Sequence, residues 1–205
     1  RYGMTEIGMA VSNSYKEKRR PGHIGLPLPG VHLRLVDEDN QLVEDGQNGE
    51  IQVKGNSIFK AYWQKPEATQ QAFTHDGWFK TGDIAVFNQG SYRILGRSSV
   101  DIIKSGGYKI AALAIEEVLR TYPNISDCAV VGVPDEEWGE VVAASLILQN
   151  PKLSIDFSAL KTWLKQHLPP YQVPRRFIIQ ADLPRNTLGK VTKNELKLFF
   201  EGRNH

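Results

Sequence analysis

The residues able to do chemistry are scattered along the chain, and most of them are charged side chains beside glycines. Lys190 ends the run Leu183-Pro184-Arg185-Asn186-Thr187-Leu188-Gly189-Lys190, a proline-bearing turn followed by the start of a capped helix. A lysine fixed in such a loop can oppose negative charge that develops on a reacting group; the competing reading is a solvated loop lysine. The run is not a Walker loop, because Pro184 stands where the first glycine belongs and Val191 follows the lysine in place of Ser or Thr. Gly106-Gly107, between Ser105 and Tyr108, lets backbone approach a ligand closely and equally suits a plain hairpin turn. Asp83, after Thr81-Gly82, can accept two hydrogen bonds at once, although Gly-Asp is also common turn chemistry. Read alone, Glu6 is a solvated surface charge, and Arg97 suits a structural salt bridge as well as a ligand. His23, His32, His75, His167 and His205 have no zinc spacing, and neither a Gly-x-Ser-x-Gly elbow nor a Gly-x-Gly-x-x-Gly fingerprint occurs.

These residues need elements to hold them. From Val31 to about Leu95 the pattern is short alternating strands, as in Val31 to Leu35 and Glu50 to Lys54. Asp45-Gly46, Asn48-Gly49, Asp76-Gly77 and Gln89-Gly90 are expected to turn the chain. A short helix is expected from Pro66, which suits a first helical position, to Phe73. After Gly96-Arg97 strands and helices alternate: a strand over Asp101 to Lys104, a helix over Leu113 to Tyr122, and strands over Cys128 to Val133 and Val141 to Leu148. A further helix from about Asp156 to Leu168 places Phe157, Leu160, Leu164 and Leu168 on one face, and Pro169-Pro170 stops it. Thr192-Lys193-Asn194-Glu195 has capping-box spacing, so a last helix carrying Leu196, Phe199 and Phe200 starts there.

Composition bounds the classes. The 205 residues suit two small domains, and 40% hydrophobic with 23% charged residues is the balance of a globular protein. A net charge of +2 supplies no field that argues for nucleic acid or a membrane surface, and the basic run Lys16, Lys18, Arg19, Arg20 reads as a solvated loop. No apolar run is long enough for a transmembrane segment. The single cysteine, Cys128, lies in an apolar run and reads as a small buried thiol. The start, Arg1-Tyr2-Gly3-Met4, has neither an initiator methionine nor a charged-then-apolar leader. The expectation is a piece of a longer chain, located in the cytoplasm, or in an organelle matrix if a targeting segment precedes it.

Six segments, in order, carry a resemblance. They are Tyr2-Gly3-Met4-Thr5-Glu6, Gly49-Glu50-Ile51, Trp78 to Asp83, Gly96-Arg97 with Asp101 to Lys104, Gly106 to Ile110, and Leu183 to Lys190. Together they resemble the adenylate-forming superfamily of acyl-CoA synthetases, luciferases and peptide-synthetase adenylation domains, and specifically its carboxyl-terminal part. The resemblance implies an α+β fold: a β-rich, distorted barrel-like subdomain over residues 1–96, then a small mobile α+β lid over 97–205. It implies an AMP-forming acid-thiol ligase whose partners are a small carboxylic acid, ATP with Mg2+, and coenzyme A.

The same resemblance assigns residues. Tyr2, Gly3, Met4 and Thr5 would lie along the nucleotide, with Glu6 near magnesium, a hard cation that takes carboxylate and phosphate oxygen together. Asp83 would accept the ribose hydroxyls, Arg97 would also reach the ribose, and Lys190 would contact carboxylate and phosphate oxygens during adenylation. Ser99 would be the hinge, in a segment one residue longer than in luciferases, and Ser105, Gly106, Gly107 and Tyr108 would line the pantetheine tunnel. Arg1 directly before Tyr2 is similar to the malonyl-CoA synthetase branch, where an arginine meets the substrate's second carboxylate; it is equally a terminal surface residue. The alternatives are a ligase for another chain length, a peptide-synthetase adenylation domain, or a non-catalytic scaffold. A Ser/Thr/Gly-rich phosphate loop is not among these residues, so the 205-residue piece alone is expected to be inactive.

Overall fold

A computed structural model describes residues 1–16 and 18–201. The chain divides into two compact units, the first Arg1–Ser98 and the second beginning at Ser99. The fold is α+β, with mostly antiparallel sheets.

The first unit is nearly all strand. Its elements are β1 (Tyr2–Met4), β2 (Gly8–Ser12), β3 (His23–Pro27), β4 (Val31–Val36), β5 (Asn48–Gly55), α1 (Pro66–Ala72), β6 (Phe79–Asn88) and β7 (Ser91–Arg97). The strands form one seven-stranded antiparallel sheet in the order β1-β2-β3-β7-β6-β5-β4. Alternation along β5 buries Ile51 and Val53, which join Ile7, Val11, Leu35, Phe79 and Ala85 in the core. Phe59 covers one side of it, stacked on Phe73 at 5.5 Å and edge-on to Phe79 at 5.3 Å. One expected turn is overturned: Asn48-Gly49 opens β5, with Gly49 paired to Ala85. The glycine serves close packing there, since a Cβ at position 49 would lie 2.9 Å from the backbone of Val36.

The second unit contains β8 (Ile102–Ser105), β9 (Tyr108–Ala111), α2 (Ala112–Leu119), β10 (Ile125–Asp135), β11 (Gly139–Leu148), α3 (Phe157–Leu164), β12 (Arg176–Gln180) and α4 (Lys193–Glu201). The long β10–β11 hairpin is its spine, and β12 runs parallel to β11 from Ala143↔Arg176. Both faces of the hairpin are buried, which explains why Cys128 to Val133 reads as an unbroken apolar run. Cys128, Val130, Val142, Ala144 and Leu146 face Ile115 and Leu119 of α2 and Leu160 and Leu164 of α3. Ala129, Val131, Val133, Val141 and Ala143 face Leu196 and Phe200 of α4. Phe199, expected beside them, lies on the outer face of α4 and is 48% exposed.

Candidate functional site

In the first unit the sheet brings two of the singled-out side chains onto the carboxylate of a third. Asp83 in β6 stands directly across from Arg97 in β7, because the two strands are in register at that pair. The guanidinium Nε of Arg97 donates to Asp83 Oδ1 at 3.1 Å, and the Tyr2 hydroxyl donates to Asp83 Oδ2 at 2.6 Å. Burial, followed by the bond to Asp83, holds the Tyr2 phenol far above its ordinary range, so Tyr2 remains a donor. Asp83 is 8% exposed, and its backbone N–H is met by Thr81 Oγ1 at 3.1 Å. Gly82, at φ +74°, donates its N–H to Glu50 Oε1 at 3.0 Å, which pins the bend preceding the aspartate. Each carboxylate oxygen carries two lone pairs, so Asp83 keeps capacity for two further donors, the number that a vicinal diol presents.

Glu6 lies in the turn between β1 and β2 and accepts a hydrogen bond from the Tyr62 hydroxyl at 3.0 Å. Burial and then Glu6 raise the Tyr62 phenol, and the positive charge of Arg97 acts on it in the opposite direction. Tyr62 is a partner of Glu6 that stands 56 residues away along the chain, so no local pattern singles it out. Among the described residues no group of three or more His, Cys, Asp or Glu could cage a metal ion. Magnesium held chiefly by phosphate and water needs only one or two protein carboxylates, and Glu6 fits that smaller role. Thr5, in the same turn, and Arg1, beside β1, are exposed. Met4 is half-buried against the core. Gly3 has a structural reason, since a Cβ there would meet the carbonyl oxygen of Gly8 across the hairpin.

In the second unit, Gly106 and Gly107 form the turn between β8 and β9, with φ of +54° and +82°, the pair of positive angles a type I′ turn requires. Ser105 is buried and pairs with both Tyr108 and Gly139, while Tyr108 stacks on Tyr171 with centroids 4.3 Å apart. Trp138 backs the turn. Its carbonyl accepts the Gly106 N–H at 3.0 Å, and its ring carbon would lie 2.5 Å from a Cβ on Gly106. Arg175 lies over the other part of that wall, 4.1 Å from the Trp138 ring. These neighbours were missed in the sequence because none stands near the glycines along the chain.

Lys190 is exposed, at the end of a tight turn. Asn186 organises that turn: its side-chain oxygen accepts the Leu188 and Lys190 N–H groups, each at 3.0 Å, and its own N–H reaches Lys190 O at 2.9 Å. Arg185 donates to Gly189 O at 3.0 Å and pairs with Asp127 at 2.6 Å. The lysine thus stands on a fixed loop. Ser99 begins the second unit. Cys128 is buried under α2, where burial pushes its thiol up to about 12, which rules out a thiolate nucleophile at neutral pH.

Comparison with known proteins gives this geometry a family. A family model described as AMP-binding enzyme matches residues 1–63, and its companion, AMP-binding enzyme C-terminal domain, matches residues 114–190. The mitochondrial malonate–CoA ligase of Bos taurus is 48% identical over 96% of this chain, and that of Mus musculus is also 48% identical over 96%. The chain spans 37% of the length of each of these relatives. Among solved structures, ATP-bound MatB from Rhodopseudomonas palustris superposes with a TM-score of 0.89 at 38% identity, covering 98% of this chain and 40% of that one. With one model over its first unit, the companion model over its second, and the fold shared at this level, the chain belongs to the AMP-binding enzymes.

Proposed function

We propose that the protein containing this chain is an ATP-dependent, AMP-forming acyl-CoA synthetase whose preferred acid is malonate. The observation that carries the reading is the 48% identity with relatives named malonate–CoA ligases, over 96% of the chain. In the first half-reaction a carboxylate oxygen attacks the α-phosphorus of ATP, forming acyl-AMP and releasing diphosphate. In the second, the coenzyme A thiol attacks the acyl carbonyl, AMP leaves, and the thioester remains. The organelle matrix suits such an enzyme, since the bovine and murine relatives are described as mitochondrial.

On this reading each residue has a task. Asp83 presents its spare lone pairs to the ribose hydroxyls, and the grip of Tyr2 and Arg97 fixes the angle of the carboxylate. Arg97 also reaches the ribose, and Tyr2, Gly3, Met4 and Thr5 border the nucleotide. Glu6 would help to hold magnesium, whose charge would offset that of the phosphates. Ser105, Gly106, Gly107 and Tyr108 form the edge along which the pantetheine arm of coenzyme A passes, and Ser99 is the pivot. Arg1 offers a guanidinium to the distal carboxylate of malonate.

Lys190 has the most testable task. Attack on the α-phosphorus concentrates negative charge on oxygen, and an ammonium on a rigid turn opposes it without reorganising. In the full-length enzyme Lys190→Ala is expected to slow malonate-dependent ATP–pyrophosphate exchange by about 100-fold to 1000-fold. Transfer from preformed malonyl-AMP to coenzyme A should change little. Equal losses in the two half-reactions would remove the assignment.

A further inference from the structure

The second unit carries a network of charges that the tasks above do not use. Lys193, three residues past Lys190 and at the start of α4, is held between two carboxylates: its Nζ lies 2.6 Å from Asp101 Oδ1 and 2.8 Å from Glu116 Oε1. The three side chains are only 10%, 15% and 5% exposed, respectively. Glu116 also accepts the backbone N–H of Val130 at 2.9 Å, so its carboxylate is fastened to β10 as well as α2. From Glu116 the network continues to Arg120 at 3.5 Å, then to Asp127 at 3.3 Å, and on to Arg185 at 2.6 Å. Arg185 closes it by donating to Gly189 O at 3.0 Å.

The order of charges along this path is Asp101, Lys193, Glu116, Arg120, Asp127, Arg185, alternating in sign throughout. Two of its members bracket the Lys190 turn, Arg185 just before it and Lys193 just after. An apolar cluster of similar shape would hold the fold equally well, because the cost of stripping water from buried ions offsets most of their mutual attraction. Ions differ from apolar side chains in one respect: each buried charge is stable only beside its own partners, and removing one partner leaves the other uncompensated. Asp101 lies two residues after Ser99, so the first residues of the second unit and the Lys190 turn are tied to one framework.

We propose that Asp101 and Lys193 are positioning residues for Lys190: through this alternating network they fix the turn that carries the reactive ammonium relative to the segment at which the second unit begins. The proposal rests on the adenylation task given to Lys190. Neither residue touches substrate in this account; each acts through the placement of the lysine. Asp101→Asn keeps the shape, removes one charge and leaves Lys193 its ion pair with Glu116, which makes it the gentlest cut in the network.

A double-mutant cycle in the full-length enzyme tests this, with active-site-titrated protein and malonate, MgATP and labelled pyrophosphate as probes. Asp101→Asn is expected to lower kcat for pyrophosphate exchange about 10-fold with KM for ATP within about twofold, because displacement of a catalytic group costs rate more than binding. In a Lys190→Ala background the same substitution should cost less than about twofold, since no ammonium remains to be misplaced. Asp127→Asn, cutting the network at its other end, should repeat the pattern and replaces Asp101→Asn if that variant does not fold. A full 10-fold loss in the Lys190→Ala background, or no loss in either single variant, would overturn the positioning role. Intact exchange in Lys190→Ala itself would instead overturn the adenylation task, so the two failures are distinguishable.

Discussion

Asp83 shows how much one side chain depends on its neighbours. Its two oxygens are held from opposite sides by a neutral phenol and a guanidinium, and a buried carboxylate is tolerated there because both donors are present. Asp83→Asn can keep its oxygen toward Arg97 only by turning its amide NH2 toward Tyr2, whose hydroxyl must then reverse from donor to acceptor. A diol would also lose a charged acceptor. A hydrogen bond to a charged group is worth enough that KM for ATP in the full-length enzyme should rise roughly 10-fold to 100-fold, measured in the exchange assay. An unchanged KM for ATP would separate Asp83 from the nucleotide. Part of this arrangement was legible beforehand: Tyr2, Asp83 and Arg97 were each singled out, on motif resemblance. Their mutual contact was not, because residues 2 and 83 lie on strands with three others between them in the sheet order, and no local pattern encodes that approach.

At the scale of elements, legibility followed the strength of local periodicity. The strands around Leu33, Ile51, Val131 and Ala144 and the helix begun by Pro66 are where the pattern places them, whereas the helix capped by Asp156, expected to reach Leu168, ends as α3 at Leu164. Helix ends are less determined. The helix expected to reach Tyr122 stops as α2 at Leu119, and the next residues tighten into i to i−3 bonds, with Thr121 N–H on Val118 O and Tyr122 N–H on Leu119 O. The strand β12 carries no local signal of its pairing, since its partner β11 is parallel to it and distant along the chain. The β8–β9 turn illustrates what tertiary contact adds to turn chemistry. Gly106 and Gly107 both have positive φ, so alanine is strained at either, but only at Gly106 would the new methyl meet the Trp138 ring, at 2.5 Å. Gly106→Ala should therefore lower thermal stability by about 1–3 kcal/mol more than Gly107→Ala, since overpacking adds to the shared strain. Equal melting temperatures for the two variants would show that Trp138 does not wall the turn.

For the whole molecule, family membership and substrate stand on different ground. The fold and the family rest on residues in both units. On the proposed function, choice of acid would turn on a single residue of this chain, Arg1, which is exposed beside β1. A guanidinium can give two parallel hydrogen bonds to a second carboxylate, and the same charge left unpaired against an aliphatic tail is costly, so it rejects fatty acids while attracting a dicarboxylate. The most direct measurement is kcat/KM for coenzyme A thioester formation by the full-length enzyme with malonate, acetate and octanoate, following AMP release. Malonate should exceed octanoate by about 100-fold or more, and Arg1→Ala should remove most of that margin by raising KM for malonate while acetate changes little. An octanoate value equal to or above that of malonate in the wild-type enzyme would contradict the account.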